Sequence, residues 1–389
     1  MSRYAHHQHA GRLPGVAKIA VLRPNAVGDF VFALPALHAL KQAYPDAELV
    51  FLGKAWHAQF LQGRPGPVDR VIVMPPVPGV GAPVDGTADA ALVDRFVGQM
   101  RAERFDIVAQ MYGGGRYSNP FTMCLGARLT IGACARDAAP TDRWVAHVEP
   151  GNRRLALLEL AALVGGVMPF LSRELAVTAA DRDEAARVLA GHGLSEKPLT
   201  GRCLPGQDRP EHTLSNGPAP EGEARRLVVL QPGSSDPRRC WPADRFAAIG
   251  DALAGAGAVV AVNGTVDEAP LVRQVVAGMR HPAIDLAGAL GLGGLCGLLE
   301  RARLVVSNDT GPLHLALAIG TPAVGVFWHT NLLDGAPLRP SLLRAAVSAR
   351  VRCPVCGLDN RAARCAHQAS FVAEVSVDEV AGHALSLLR

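Results

Sequence analysis

Short apolar runs alternate with longer amphipathic segments along most of the chain. The first unit consists of the apolar run Lys18–Arg23, a loop over residues 24–29, a helical segment that extends to Tyr44, and a second apolar run, Glu48–Leu52. A strand, a helix and a strand at this spacing form a βαβ unit, whose two strands run parallel. The pattern therefore predicts an α/β fold built on a parallel sheet.

The alternation continues in two series. The first contains the predicted elements Val68–Val73, Asp89–Ala102, Asp106–Gln110, Arg128–Ile131, Arg153–Val164 and Asp181–Gly191. The second contains Leu227–Leu230, a helix from Trp241 to about Ala256, and then Ala258–Val262, Asp267–Met279, Leu292–Arg301, Leu304–Val306, Ala323–Phe327 and Val377–Leu388. Each series predicts one Rossmann-like, doubly wound domain.

Residues 194–226 separate the two series, because they are rich in Pro, Gly and charged residues and show no hydrophobic period. That composition is typical of a linker. The predicted domains are residues 18–193 and 227–389, preceded by a flexible tail of residues 1–17, and the last helix can pack on either domain. Two open parallel sheets leave a cleft between the carboxyl ends of their strands, where such folds bind ligands.

Composition narrows the choice of partners. The formal charge of +4 over 389 residues is small and the basic residues are scattered, so no nucleic-acid partner is expected. Eight cysteines at irregular positions, without a secretory signal, predict reduced thiols in a cytoplasmic protein. No apolar run reaches the roughly 18 residues that a membrane span requires.

The segment Ser307–Trp328 is the strongest candidate for a binding site. Its predicted strand ends in a tight turn, Asn308–Gly311, that opens a helix carrying His314. The free N–H groups and the dipole at such a helix start attract anions, phosphate above all. We expect Asp309 or Thr310 to cap this helix whether or not an anion binds.

Three motifs together resemble the glycosyltransferase family that contains the heptosyltransferases. They are RPNAVGDFVFALPALHALK, QPGSSDPRRCWP and SNDTGPLHLALAIGTPAVGVFW, in the family's order along the chain. The resemblance implies a GT-B fold and an inverting, metal-independent transfer from a nucleotide-sugar, with no cofactor required. It further implies ADP-heptose as the donor and a lipopolysaccharide-type or other glycan acceptor, met at the inner membrane face.

The first motif implies the acceptor-side residues. The resemblance assigns Asp29 as the base that takes the proton from the acceptor hydroxyl, a role worth about 10²–10⁴ in rate. It implies that Gly28 permits a tight turn there and that Arg23 contacts an acidic acceptor. A helix cap at Asp29 and a solvated strand end at Arg23 are the alternative interpretations.

The second motif implies the cation that offsets charge on the departing diphosphate. Arg239 stands where the family usually has lysine, and its neighbour Arg238 is a rival for the role. Ser234 and Ser235 are predicted to donate hydrogen bonds to the same phosphates or to form the turn.

The remaining donor-side residues follow from the third motif and from the loop after Asn263. Glu268 resembles the acid that holds the nucleotide ribose, with Asp267 as an equally placed rival. His314 is either a phosphate or sugar contact or a satisfied core residue. Thr310 and Gly311 are predicted to supply the anion-facing N–H groups, and Asp309 is predicted either to accept hydrogen bonds from sugar hydroxyls or to fix the loop.

A cysteine-rich segment near the C-terminus stands apart from these motifs. Cys353, Cys356, Cys365 and His367 offer four ligands of the type that zinc prefers, although the spacing is not a standard zinc-finger pattern. Two interpretations stay open, a structural zinc site and ordinary reduced thiols.

Other functions of the same fold also remain. A nucleotide-sugar epimerase or a non-catalytic nucleotide-sugar-binding protein would need the donor site but no base on the first domain. A dehydrogenase is disfavoured because no G-x-G-x-x-G follows the first strand.

Overall fold

The computed structural model describes residues 11–194, 226–338 and 340–388. Most of the predicted linker and residues 1–10 of the predicted tail lie outside the described residues. The rest of the tail is packed rather than free. The backbone N–H of Leu13 donates to the Tyr44 hydroxyl at 2.8 Å, and Val16 packs against the core.

The first half of the chain forms a six-stranded parallel sheet. Its strands and the short pair β4–β5 are β1 (Lys18–Leu22), β2 (Glu48–Gly53), β3 (Arg70–Val73), β4 (Val77–Pro78), β5 (Gly81–Ala82), β6 (Ile107–Gln110), β7 (Leu129–Cys134) and β8 (Arg143–Ala146). Its helices are α1 (Val27–Ala43), α2 (Ala55–Leu61), α3 (Ala90–Glu103), α4 (Ser118–Cys124), α5 (Arg153–Ala162) and α6 (Ala179–Gly191).

The second half repeats this plan. Its strands are β9 (Arg226–Gln231), β10 (Ala258–Gly264), β11 (Ala283–Ala287), β12 (Leu304–Asn308), β13 (Ala323–Trp328) and β14 (Leu343–Ser348). Its helices are α7 (Ala243–Gly255), α8 (Ala269–Gly278), α9 (Leu292–Arg301), α10 (Gly311–Ile319), α11 (His329–Gly335) and α12 (Val377–Leu388), with 3₁₀ turns at Pro237–Arg239 and Pro340–Leu342.

Both sheets have the strand order of a doubly wound fold. The order is β3-β2-β1-β6-β7-β8 in the first and β11-β10-β9-β12-β13-β14 in the second. The central strands are buried on both faces, which is why they appear in the sequence as continuous apolar runs. The order reverses between β1 and β6 and between β9 and β12, and ligands bind at such switch points. The predicted fold class is confirmed.

The two domains pack closely on each other. Helix α1 packs on α10, and the backbone N–H of Glu174 donates to the carbonyl of Ala318 at 2.8 Å. Helix α6 ends the first series in sequence, yet it packs extensively on α9 of the second domain. Gly297 permits that approach, because a Cβ there would overlap the carbonyl oxygen of Asp181. The last helix, α12, packs on α7 and the second sheet.

A second cross-domain contact joins the start of α5 to the end of α11. The buried Arg154 donates to the carbonyl of Gly335 at 2.6 Å, and Asn152 Nδ2 donates to the carbonyl of Ala336 at 2.9 Å. These bonds bring the first turn of α5 to the edge of the interdomain cleft. Across the described residues, we find no helix with the length and apolar character that a membrane crossing requires.

Candidate active site

A cavity of about 590 Å³ lies between the domains, at the carboxyl ends of both sheets. The first turns of α1 and α10 form part of its wall, together with the loops that follow β9 and β10. All predicted site residues except Arg23 and Arg238 line it, namely Gly28, Asp29, Ser234, Ser235, Arg239, Glu268, Asp309, Thr310, Gly311 and His314.

Asp29 lies in the first turn of α1, not in the loop where the sequence placed it. The helix begins at Val27, with Ala26 as its N-cap residue in an extended conformation. Asp29 therefore does not occupy the capping position. Its Oδ1 instead lies 3.3 Å from Arg153 Nη1 and 3.7 Å from a guanidinium nitrogen of Arg23, and its side chain is 25% exposed.

Arg23 does not line the cavity, so the predicted acceptor contact is not supported. The residue is buried, and its Nε donates to the backbone carbonyl of Asp29 at 2.7 Å while Nη1 donates to the carbonyl of Met111. Burial lowers the pKa of Arg23 to about 10, against the opposing effect of Asp29. A buried guanidinium needs hydrogen-bond acceptors. The N–H groups of Arg23 donate to these two backbone carbonyls and thereby fix the start of α1.

Two glycines lie where the helix starts of the two domains meet. A Cβ on Gly28 would lie 3.7 Å from the Cα of Gly311, and a Cβ on Gly311 would lie 3.3 Å from Val27 Cβ. The first distance is an ordinary van der Waals contact, whereas the second is tight, so a side chain at position 311 would press against the start of α1. Gly311 therefore allows the start of α1, which carries Asp29, to lie close to the anion-binding turn.

The expected side-chain cap of α10 is absent, which corrects the sequence prediction. Thr310 is the N-cap residue, in an extended conformation, and its side chain makes no capping hydrogen bond. The N–H groups of the first turn are then not taken by a side chain, and they lie at the positive end of the helix dipole. The start of α10 is thus chemically suited to an anion in the cavity.

Asp309 organises the turn instead of capping it. Its carboxylate lies 2.9 Å from His314 Nε2, 2.9 Å from Asn331 Nδ2 and 3.4 Å from Arg239 Nη1. Burial alone would raise the pKa of Asp309, but the hydrogen bond with His314, aided by Asn331 and Arg239, holds the pKa below its usual value. The carboxylate stays charged and fixes three polar side chains around it.

His314 combines the two interpretations that the sequence left open. It is 3% exposed and packs edge-on against Phe32 of the first domain, yet it also borders the cavity. Burial lowers its pKa, against the opposing effect of Asp309, so the ring is neutral at neutral pH. Its Nδ1 is buried with no hydrogen-bond partner within the described part of the chain.

The structure distinguishes the two neighbouring arginines. Arg239 borders the cavity, donates to the carbonyl of Asp309 at 3.2 Å and lies 3.3 Å from Ser235 Oγ. Arg238 points away from the cavity, where its guanidinium pairs with Asp236 at 2.6 Å and donates to Asn360 Oδ1 at 3.2 Å. Arg238 therefore does not share the cavity-facing position of Arg239.

Glu268 and Gly233 form the far wall of the cavity. Glu268 is the N-cap residue of α8, and its carboxylate accepts a hydrogen bond from the N–H of Thr265 at 2.9 Å. A Cβ on Gly233 would overlap this carboxylate, so the glycine makes room for it. Asp267, the rival in the sequence, does not line the cavity.

Sequence reasoning missed three polar residues of the cavity wall. Arg153 bridges Asp29 and Asp334, with its Nη2 3.7 Å from Asp334 Oδ2. Burial raises the pKa of Asp334, against the opposing effect of Arg153. The third missed residue is Asn331, which also lines the cavity. None of the three lies in a recognisable motif, and they reach the cavity only through the packing of α5 and α11.

Two Rossmann-like domains that face each other across such a cavity define a GT-B glycosyltransferase fold. The chain belongs to glycosyltransferase family 9 (heptosyltransferase), whose family model matches residues 93–352, more than half of the chain. It is thus a glycosyltransferase. The second and third motifs lie within the matched residues, whereas the first motif precedes residue 93.

Individual relatives agree with the family assignment. A lipopolysaccharide heptosyltransferase 3 of Escherichia coli strain K12 is 23% identical over 321 residues, which cover 82% of this chain and 84% of that protein. Another E. coli protein of that name is 29% identical over 126 residues, which span only 32% of this chain and 37% of that protein's length. The solved E. coli ADP-heptose lipopolysaccharide heptosyltransferase II superposes with a TM-score of 0.67 at 16% identity, over 95% and 98% of the two chains, which shows the shared fold.

Proposed function

We propose that the protein transfers heptose from ADP-heptose to a lipopolysaccharide-type acceptor by direct displacement, with inversion at the anomeric carbon. One observation carries the proposal. A carboxylate of the first domain, Asp29, faces the same cavity as Arg239 and the uncapped start of α10 in the second domain. This arrangement provides a base on one side of the sugar and a site for the departing diphosphate on the other.

Asp29 is the proposed general base. It takes the proton from the attacking acceptor hydroxyl while the bond to the diphosphate breaks on the opposite face of the sugar. Arg153 and Arg23 hold its Oδ1 from one side, which restricts the rotamers open to the side chain. A base held in this way contributes about 10²–10⁴ in rate.

Arg239 and the first turn of α10 are the proposed site of the diphosphate. Arg239 is held by Asp309 and Ser235, so it is oriented before the substrate arrives. Preorganised donors of this type stabilise developing negative charge by roughly 2.7–4 kcal/mol each. A guanidinium and backbone N–H groups provide this stabilisation without a divalent metal, and the reaction is proposed to need none.

The second domain is the proposed nucleotide-binding half. Glu268 presents a carboxylate to the cavity, and vicinal ribose hydroxyls are suited to donate to it. The names of the relatives support heptose as the sugar, ADP as its carrier and lipopolysaccharide as the acceptor class. With an acceptor of that class, the reaction is proposed to take place at the inner face of the membrane.

Calorimetric titration of the purified chain with ADP-, UDP- and GDP-sugars tests the donor assignment. Binding of ADP-heptose in preference to the others is expected, and it should not require added Mg²⁺ or Mn²⁺. Transfer to a deacylated lipopolysaccharide core, followed by NMR of the product, then gives the anomeric configuration. Retention of configuration, activity that requires added Mg²⁺ or Mn²⁺, or binding of no nucleotide-sugar at all would contradict the proposal.

A further inference from the structure

Four ligand-type side chains converge in the loop between β14 and α12. One ligand atom from each of Cys353, Cys356, Cys365 and His367 lies within 4.8 Å of all the others. The sulfur atoms of a tetrahedral zinc site, each about 2.3 Å from the metal, lie roughly 3.8 Å apart. The four groups therefore need only small side-chain movements to enclose one ion.

Little apolar packing holds this segment in its turn conformation. Val355 is 62% exposed and Leu358 is 40% exposed, although Cys353 is buried. The turn is closed by backbone bonds from Cys353 N to the carbonyl of Leu358 and from Gly357 N to the carbonyl of Cys353, both 2.9 Å long. A metal ion would supply the cross-link that such a small segment lacks in apolar core.

We propose that Cys353, Cys356, Cys365 and His367 bind one zinc ion in a closed structural site. Three thiolates and one imidazole complete a tetrahedral shell with no open position, which is the ligand set of structural rather than catalytic zinc. The thiols lose their protons as the metal binds. A disulfide between two of these cysteines would leave the third and the histidine without a role.

The site is connected to the loop that carries Arg239. Asn360 lies beside the cluster, with its Nδ2 3.7 Å from Cys365 Sγ, and its Oδ1 accepts from Arg238 at 3.2 Å. Farther along the segment, Phe371 N donates to the carbonyl of Arg238 at 2.8 Å and Ser370 Oγ donates to the carbonyl of Cys240 at 2.7 Å. Zinc thus braces the backbone on both sides of Arg239. This second step rests on the proposed role of Arg239.

Metal analysis of the full-length chain, purified without chelators, tests the site independently of activity. About one zinc per chain is expected in the wild type and in the control Cys124→Ser, which changes an exposed cysteine on α4. Cys356→Ser and His367→Ala should each lose most of the zinc. Replacement by Co²⁺ should give the visible absorption of a tetrahedral thiolate site in the wild type and not in Cys356→Ser.

Three outcomes would overturn the zinc site: a chain that neither retains nor takes up zinc, iron in place of zinc, or a disulfide revealed by thiol titration.

The second step, in which zinc braces the backbone around Arg239, has its own readout, the affinity for ADP. Zinc depletion should weaken ADP binding several-fold in the wild type. Unchanged ADP affinity in a chain that has lost its zinc would overturn the bracing step alone. Failure of the zinc-loaded wild type to bind ADP would refute the proposed function, while the metal content would still decide the zinc site.

Discussion

Arg239 Nη1 lies 3.4 Å from Oδ2 of Asp309, and this pair joins the loop after β9 to the start of α10. Asp309 is 6% exposed, whereas the Arg239 side chain is 25% exposed and faces the cavity. The buried carboxylate of Asp309 therefore holds the half-buried guanidinium of Arg239 in position. Substitution of Arg239 is therefore a direct test of the proposed diphosphate site.

Replacement of Arg239 by alanine should lower kcat about 10²–10³-fold, because one preorganised donor to the developing phosphate charge is lost. Arg239→Lys should restore part of the activity, since it keeps the charge but not the paired donors. Steady-state kinetics with the donor varied measure both variants. Arg273→Ala, an exposed arginine on α8, is the control and should behave as wild type. An alanine variant within threefold of wild type would argue against the assigned role.

Gly233→Ala should disturb the proposed ribose contact without unfolding the chain. The added methyl group would overlap the Glu268 carboxylate, which must then shift away from its bond with Thr265. We expect ADP affinity to fall about tenfold and the unfolding free energy to fall by about 1–3 kcal/mol, as for other overpacked sites. Calorimetry and urea unfolding measure the two effects.

Gly255→Ala is a matched control for this experiment, since nothing lies within 4 Å of a Cβ at that position in the last turn of α7. It should leave ADP binding unchanged. Equal ADP affinities in Gly233→Ala and Gly255→Ala would show that the Glu268 wall does not contact the nucleotide.

Acid should destabilise the first domain through His57. This histidine is buried, and burial lowers its pKa to about 3. The folded pKa lies below the unfolded value of about 6.5, so the unfolded chain gains a proton first as the pH falls. The stabilising contribution is complete above pH 6.5 and is lost between there and about pH 3, which amounts to about 2 kcal/mol from pH 7 to 5.

Urea unfolding of wild type and His57→Gln at pH 7 and pH 5 measures this contribution. The loss of stability between the two pH values should be smaller in the variant by about that amount. His192→Gln, at an exposed histidine, should keep the wild-type difference. Parallel losses in wild type and His57→Gln would mean that His57 is not the group responsible.

The central strands could be predicted from the sequence because strands buried on both faces are continuous apolar runs. Strands β8, β11 and β14 were missed, since β8 begins with Arg143, β11 carries Asp285 at its centre and β14 has Arg344 as its second residue, so none of them forms an uninterrupted apolar run. The short helices α4 and α11 were also missed, because seven residues are too few to show a clear hydrophobic period. Packing against the rest of the domain, not local sequence, decides their conformation.

The site was predicted only as far as its motifs reached. Asp29, Arg239 and Thr310 lie in motifs and line the cavity, whereas Arg153 and Asp334 lie in none. The direction in which a side chain points could not be predicted from the sequence either. Adjacent arginines at 238 and 239 look equivalent until Asp236 and Asn360 are seen to hold the first of them away from the cavity.

The isosteric change Asp29→Asn tests the central claim most directly. It keeps the volume of the side chain and removes the proton acceptor, while the donor site in the second domain is untouched. We predict that transfer falls about 10²–10⁴-fold with ADP-heptose affinity within twofold of wild type, and that Asp46→Asn, at an exposed acid, changes neither. Transfer by Asp29→Asn at the wild-type rate, with saturating donor and acceptor, would contradict the account.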